Sequence, residues 1–257
     1  NNKIKEGRLI SEIEIFLNEK GLLKNYIAKG SVKDLKIQLI NDFNLTKTNL
    51  NFFADKNDIL IKNIFGEIAE IKILDGDIKL NLEEGVKLSS NFNSKINLNE
   101  KNFKNYVKLL KKYKLDGKIK SLDAELNNSL SIHLDKTYKI KNYNYSILGN
   151  VKKSKFVLSQ PIINNIIIEE IKEIYFSYLK IKTIFSPKNI NFFGDGKYSF
   201  NNSDFLKINF KNNFNNNLMN LKLDLNYKNS FVLDFINYKK KDDSLSNILL
   251  DLDKKVD

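Results

Sequence analysis

Between Ile64 and Leu98, apolar and polar residues alternate in three successive runs. Such alternation puts neighbouring side chains on opposite faces of a strand. Asp75-Gly76 separates the first two runs and predicts a two-residue hairpin turn, whose central residues need positive φ. Glu84-Gly85 marks the next break. In the third run Val86, Leu88, Ser90, Phe92, Ser94, Ile96 and Leu98 share one face. Lys87, Ser89, Asn91, Asn93, Lys95 and Asn97 share the other. A strand of that length spans ~40 Å at ~3.3 Å per residue, where ordinary strands run ~5–6 residues.

The same binary pattern continues in both directions. Leu35, Ile37 and Leu39 alternate with polar residues, as do Leu50, Phe52 and Ala54; Lys56-Asn57-Asp58 reads as a turn before Ile59 and Ile61. Further strands are read at Lys118–Leu126, Leu130–Leu134, Tyr138–Leu148, Asn150–Leu158, Asn189–Phe193, Lys197–Phe200, Phe205–Phe210, Met219–Tyr227 and Ser230–Tyr238. Runs spaced by roughly 8–12 residues without intervening helices predict antiparallel up-and-down pairing. Residues 162–185 mix the two patterns: Ile168, Ile171, Ile174 and Tyr175 suggest a helical turn, and Leu179, Ile181 and Thr183 a strand.

Two stretches read as helical. Ile13, Phe16, Leu17, Leu23 and Ile27 fit a stripe behind a Ser11 cap, although Ile13, Ile15 and Leu17 fit a strand equally well. Behind an Asn99 cap, Phe103, Tyr106, Val107, Leu110 and Tyr113 line one side of a helix over 100–113. The expected fold is mainly β. A long antiparallel sheet curls into an elongated groove or half-pipe, with one or two short amphipathic helices at about 11–27 and 100–113. The organisation expected is a helical or mixed segment over 1–29, a continuous β groove over 30–238 and a charged segment over 239–257.

Composition changes this picture little. The net charge of +12 invites a nucleic-acid partner, but Arg8 is the only arginine among 43 basic residues, and Arg is the usual reader of bases and phosphates. The chain also carries 39 Asn. Lys, Asn and Ile in excess are what an AT-rich coding sequence writes, so no nucleic-acid partner is expected. The absence of Cys removes disulfides and thiolate chemistry. No apolar run reaches the ~18 residues of a membrane helix. The Asn-Asn start leads us to expect an internal piece of a longer protein.

Candidate chemistry is sparse. His133, the sole histidine, sits in the polar register of its strand, without the partners zinc requires. No G-x-S-x-G elbow accompanies it. Gly194-Asp195-Gly196 lacks the third glycine of a phosphate loop and reads as a hairpin turn. Asp75, Asp77, Glu83 and Glu84 read as turn acids facing water, without the ligand spacing of a calcium loop. No enzyme activity, metal or cofactor is expected.

Residues Gly30–Ile37, Asn51–Asp55 through Ile59–Gly66, and Leu74–Leu80, followed by Asn105–Leu110, resemble the central region of AsmA-like envelope proteins. The YhdP-type branch is the nearer likeness and TamB the more distant. The resemblance implies a β-rich body in the periplasm, anchored to the inner membrane by a segment outside this chain. It also implies an apolar groove that moves phospholipid to the outer membrane. The residue pattern agrees with that expectation: a sheet with one apolar face must cover it with a second layer, a helix or a ligand, and few helices are read here. The expected lining is Leu50, Phe52, Ile71, Ile73, Ile78, Leu80, Leu88, Phe92 and Ile96, with phospholipid acyl chains as the partner. The alternatives are a structural or adhesive β-rich surface protein with a closed core, and an outer-membrane barrel.

Overall fold

The computed structural model describes residues 4–38, 43–103, 106, 117–163, 165–215 and 217–255. About 78% of it is strand, in one antiparallel sheet of 13 strands that does not close into a barrel. In chain order the strands are β1 (Ile4–Leu17), β2 (Leu23–Gln38), β3 (Asn44–Asp55), β4 (Asp58–Ile68), β5 (Ile71–Asn81) and β6 (Val86–Asn99). They continue with β7 (Gly117–Leu134), β8 (Ile140–Ile162), β9 (Ile171–Phe185), β10 (Asn189–Phe200), β11 (Leu206–Asn215) and β12 (Leu218–Tyr227). A small hairpin, β13 (Phe231–Leu233) and β14 (Tyr238–Lys240), stands apart, and β15 (Ser246–Lys255) rejoins the sheet. The spatial order β1 to β12 and then β15 is the up-and-down arrangement that the alternation predicts.

Packing divides the chain into two compact units. The first comprises Asn1–Ile96, Glu125–Ile147 and Ile184–Pro187; the second comprises Asn97–Ala124, Leu148–Thr183 and Lys188–Asp257. β1 and β15, which lie outside the expected 30–238 body, are both strands of the sheet.

Four readings are corrected. The stretch 11–27 is not helical. Gly21 adopts φ +71 in a turn between β1 and β2, where the Asn18 side chain accepts from the N–H groups of Lys20 and Leu22. The strand alternation of Ile13, Ile15 and Leu17 therefore wins. Asp75-Gly76 is not a turn but the middle of β5, opposite Asn93 and Phe92. A Cβ on Gly76 would lie 3.0 Å from Phe92 Cβ, so glycine serves close approach. The chain reverses instead at Ala69-Glu70, with φ +45 and +75. Gly194-Asp195-Gly196 is likewise inside β10, with the Phe210 ring lying across Gly194. The expected charged segment 239–257 contains β15, whose Ile248, Leu250 and Leu252 pair with Leu225, Leu223 and Leu221 of β12.

Of the second expected helix, one turn is described, α1 (Glu100–Phe103). Asn99 caps it by accepting from the N–H groups of Lys101 and Asn102. Apart from Tyr106, the remainder of 100–113 lies outside the described residues. The helical turn read near Ile171 is the start of β9. β7 and β8, at 18 and 23 residues, each join what reads as two strands.

The solvent-accessible surface is 17665 Å². A compact protein of 29.9 kDa would expose about 11,700 Å². Much of the excess is apolar: Ile13, Ile15, Tyr178 and Leu249 are among the large hydrophobic residues left exposed.

Candidate apolar binding face

Rows of paired residues cross β1 to β6 in the first unit. One runs Ile13, Ala28, Ala54, Ile59, Leu80, Leu88, and the next Ser11, Gly30, Phe52, Ile61, Ile78, Ser90. Directly paired residues share a face, so these rows define one apolar surface. Five inter-strand gaps of ~4.8 Å carry it about 24 Å along the sheet. The opposite face presents Lys62, Asp77, Lys79, Lys87 and Asn91 to water.

All nine expected lining residues fall on the apolar surface. Leu50 and Phe52 come from β3, Ile71, Ile73, Ile78 and Leu80 from β5, and Leu88, Phe92 and Ile96 from β6. Ile96 is 7% exposed; the other eight are half-buried. A packed second layer would bury them all.

Sequence reasoning read the strand between, β4, but left its residues out of the expected lining. Ile59 and Ile61 of β4 complete the rows, and Ile64, beyond a phase break, is buried on the same side. That break was visible as Ile61-Lys62-Asn63-Ile64, where two polar residues replace one. Asn63 has φ +54 there; Asp34 of β2 (φ +51) and Lys47 of β3 (φ +51) mark similar irregularities. In β2 and β3 they coincide with register shifts. Extra residues of this kind bend a strand and increase its twist.

Two polar groups on the surface, Asn128 and Thr48, are hydrogen-bonded within the sheet. Buried Asn128 of β7 donates to Ser94 Oγ at 3.2 Å and to the Phe92 carbonyl at 3.3 Å. It accepts from the Tyr145 hydroxyl at 2.9 Å. Burial raises the Tyr145 pKa, so the phenol stays neutral and its ring stacks on Phe185. Thr48, fully buried, donates to the Thr46 carbonyl. The surface therefore offers hydrocarbon contact and no ionised group to a ligand.

The second unit carries an equivalent surface. Gly194, Phe210, Leu223 and Leu250 form one row, and Gly196, Ile208, Leu225 and Ile248 the next. Toward one end it is closed. Tyr198, 2% exposed, donates its hydroxyl to the Asn226 carbonyl at 2.7 Å. Tyr227 lies against Phe231. Buried Lys240 donates to the carbonyls of Lys228, Asn229 and Lys241. Burial pushes the Tyr198 and Tyr227 hydroxyls up in pKa.

The remaining candidates do not assemble. His133 is half-buried near the end of β7, and among the described residues no three His, Asp or Glu side chains come together to hold a metal. Asp75 and Asp77 lie on the polar face of β5 beside Asn91 and Asn93, in strand rather than in a turn. Glu84 and Gly85 do form a turn, where Gly85 adopts φ +99. No described helix is long and apolar enough to cross a membrane.

Comparison with known protein families, with curated proteins and with solved structures finds no match for the chain.

Proposed function

We propose that the apolar surface across β3 to β6 binds the acyl chains of phospholipid. In this reading the chain is a segment of an AsmA-like, YhdP-type envelope protein. It lies in the periplasm and is held to the inner membrane by a part of the protein outside this chain. The surface carries phospholipid between the inner and outer membranes. One observation supports the reading above others: eight of nine aligned aliphatic and aromatic side chains are half-buried on a face that carries no charge. Each methylene taken from water contributes ~0.8 kcal/mol. Half-burying a tail of about 15 methylenes is therefore worth roughly 6 kcal/mol, without any polar recognition.

The test is purification from bacteria in detergent-free buffer, followed by solvent extraction and mass spectrometry. Phospholipid in molar proportion to protein is expected. Monodisperse, lipid-free protein overturns the reading and favours a structural or adhesive role. Protein that is soluble only in detergent overturns it in favour of a membrane barrel.

A further inference from the structure

In the second unit, the face opposite the apolar surface gathers lysines on three neighbouring strands. Phe193, Asp195 and Lys197 of β10 stand opposite Lys211, Asn209 and Lys207 of β11. On β9, buried Leu179 and Thr183 alternate with exposed Lys180 and Lys182, so these two lysines extend the same face. Lys180, Lys182, Phe193, Asp195 and Lys211 share the lining of one surface depression. All five lysines are exposed. At ~4.8 Å between strands and ~3.3 Å per residue, they cover an area of about 10 by 13 Å.

The chain does not neutralise this cluster. Ion pairs in the second unit use Lys120, Lys155, Lys172, Lys222 and Lys228. None of the five clustered lysines has an ion-pair partner among the described residues. Asp195 is the only carboxylate on the exposed side of β10 and β11, and Asn209 donates to it at 3.2 Å. Lys197 and Lys207 are directly opposed, a placement that costs stability unless an anion relieves it. Lys211 holds its ammonium 5.5 Å from the centre of the Phe193 ring, which leaves the charge open to a further partner. An AT-rich coding sequence accounts for the number of lysines, but not for their gathering away from acids.

The partner this face fits is therefore anionic. Bidentate reading of phosphates and bases falls to Arg, which the face lacks; a lysine is a compact point charge. Point charges set side by side on a sheet suit the spread phosphates of a lipid surface. We infer that the exposed face of β9, β10 and β11 docks on an anionic phospholipid bilayer. The docking engages headgroups, so it stands whether or not the first unit takes up acyl chains.

The test is sedimentation of the chain with vesicles of phosphatidylcholine alone and of phosphatidylcholine mixed with phosphatidylglycerol. Binding is expected only to the mixed vesicles, and added salt should release it. A lysine at an anionic membrane surface is worth roughly fivefold in affinity. Lys197→Gln with Lys207→Gln should therefore weaken binding by about 25-fold. Lys62→Gln with Lys79→Gln removes the same charge from the polar face of the first unit and should leave binding nearly unchanged. The inference is overturned by equal binding to both kinds of vesicle, by binding to neither, or by equal losses in the two double variants. Tighter binding to a DNA duplex than to the mixed vesicles overturns it in favour of a nucleic-acid partner.

Discussion

Around Tyr198 and Tyr227 the second unit closes its apolar surface; across β3 to β6 the first unit leaves its own half-open. In the closed region the interior is aromatic and hydrogen-bonded. The Tyr198 hydroxyl, the Lys240 ammonium and the Ser199 hydroxyl all donate to backbone carbonyls. In the half-open region the rows are aliphatic, with single aromatics such as Phe52 and Phe92, and the polar groups are confined to Thr48, Ser90 and the Asn128 cluster. Burying polar atoms demands partners at fixed geometry, so closure needs a specific set of residues. An aliphatic surface makes no such demand. Its exposure costs only hydrophobic free energy, which a hydrocarbon ligand can relieve.

The largest expected effect tests the contrast directly. Tyr198→Ala should cost about 3–5 kcal/mol, as for other large aromatics removed from a packed interior. Phe52→Ala, on the half-open face, should cost less than about 2 kcal/mol, since part of its side chain is already in water. Denaturant unfolding of the two variants measures both, and equal losses would erase the distinction.

An intermediate effect is expected from Asn128→Ala. It strands the Tyr145 hydroxyl and leaves the Ser94 hydroxyl with only the Leu126 carbonyl, which should cost about 1–3 kcal/mol. The Tyr145 pKa should also change, as followed by ultraviolet titration. A neutral outcome in both readings would show that this polar cluster does not mark a packed margin of the first unit.

The smallest effect belongs to the turns, which neither region uses. Asp55 accepts from the N–H groups of Asp58 and Asn57, which lower its pKa. Asp135 is lowered by the Thr137 hydroxyl and the Lys139 N–H. A carboxyl with a depressed folded-state pKa stabilises the fold above its unfolded value. That contribution is lost as pH falls through the folded value. The melting temperature of Asp55→Asn should therefore differ from that of the parent at pH 7, and the gap should shrink below about pH 4.

Much of the sheet was legible because alternation is a direct print of the strand. β6 is observed over Val86–Asn99, as the unbroken pattern predicts. Glycine was the misleading signal. At Gly76 and Gly194 it admits a phenylalanine from the neighbouring strand, and sequence alone cannot tell that use from a turn. The real reversal at Ala69-Glu70 has no glycine or asparagine to announce it. Breaks at Asn127-Asn128 and Gly149 hid the length of β7 and β8, because a local interruption does not end a strand held on both sides. That the nine expected residues share one face was readable from phase within their own strands. Ile59, Ile61 and Ile13 join the same surface through register, which only the paired strands reveal.

The chain contains no tryptophan, so Phe92→Trp would place a single reporter on the apolar face and Asn91→Trp one on the polar face. Each is titrated with phosphatidylcholine brominated in its acyl chains while tryptophan emission is followed. The account predicts saturable quenching of the Phe92→Trp protein and little of the Asn91→Trp protein. Emission from Phe92→Trp that is indifferent to brominated lipid, or equal quenching at both positions, would contradict it.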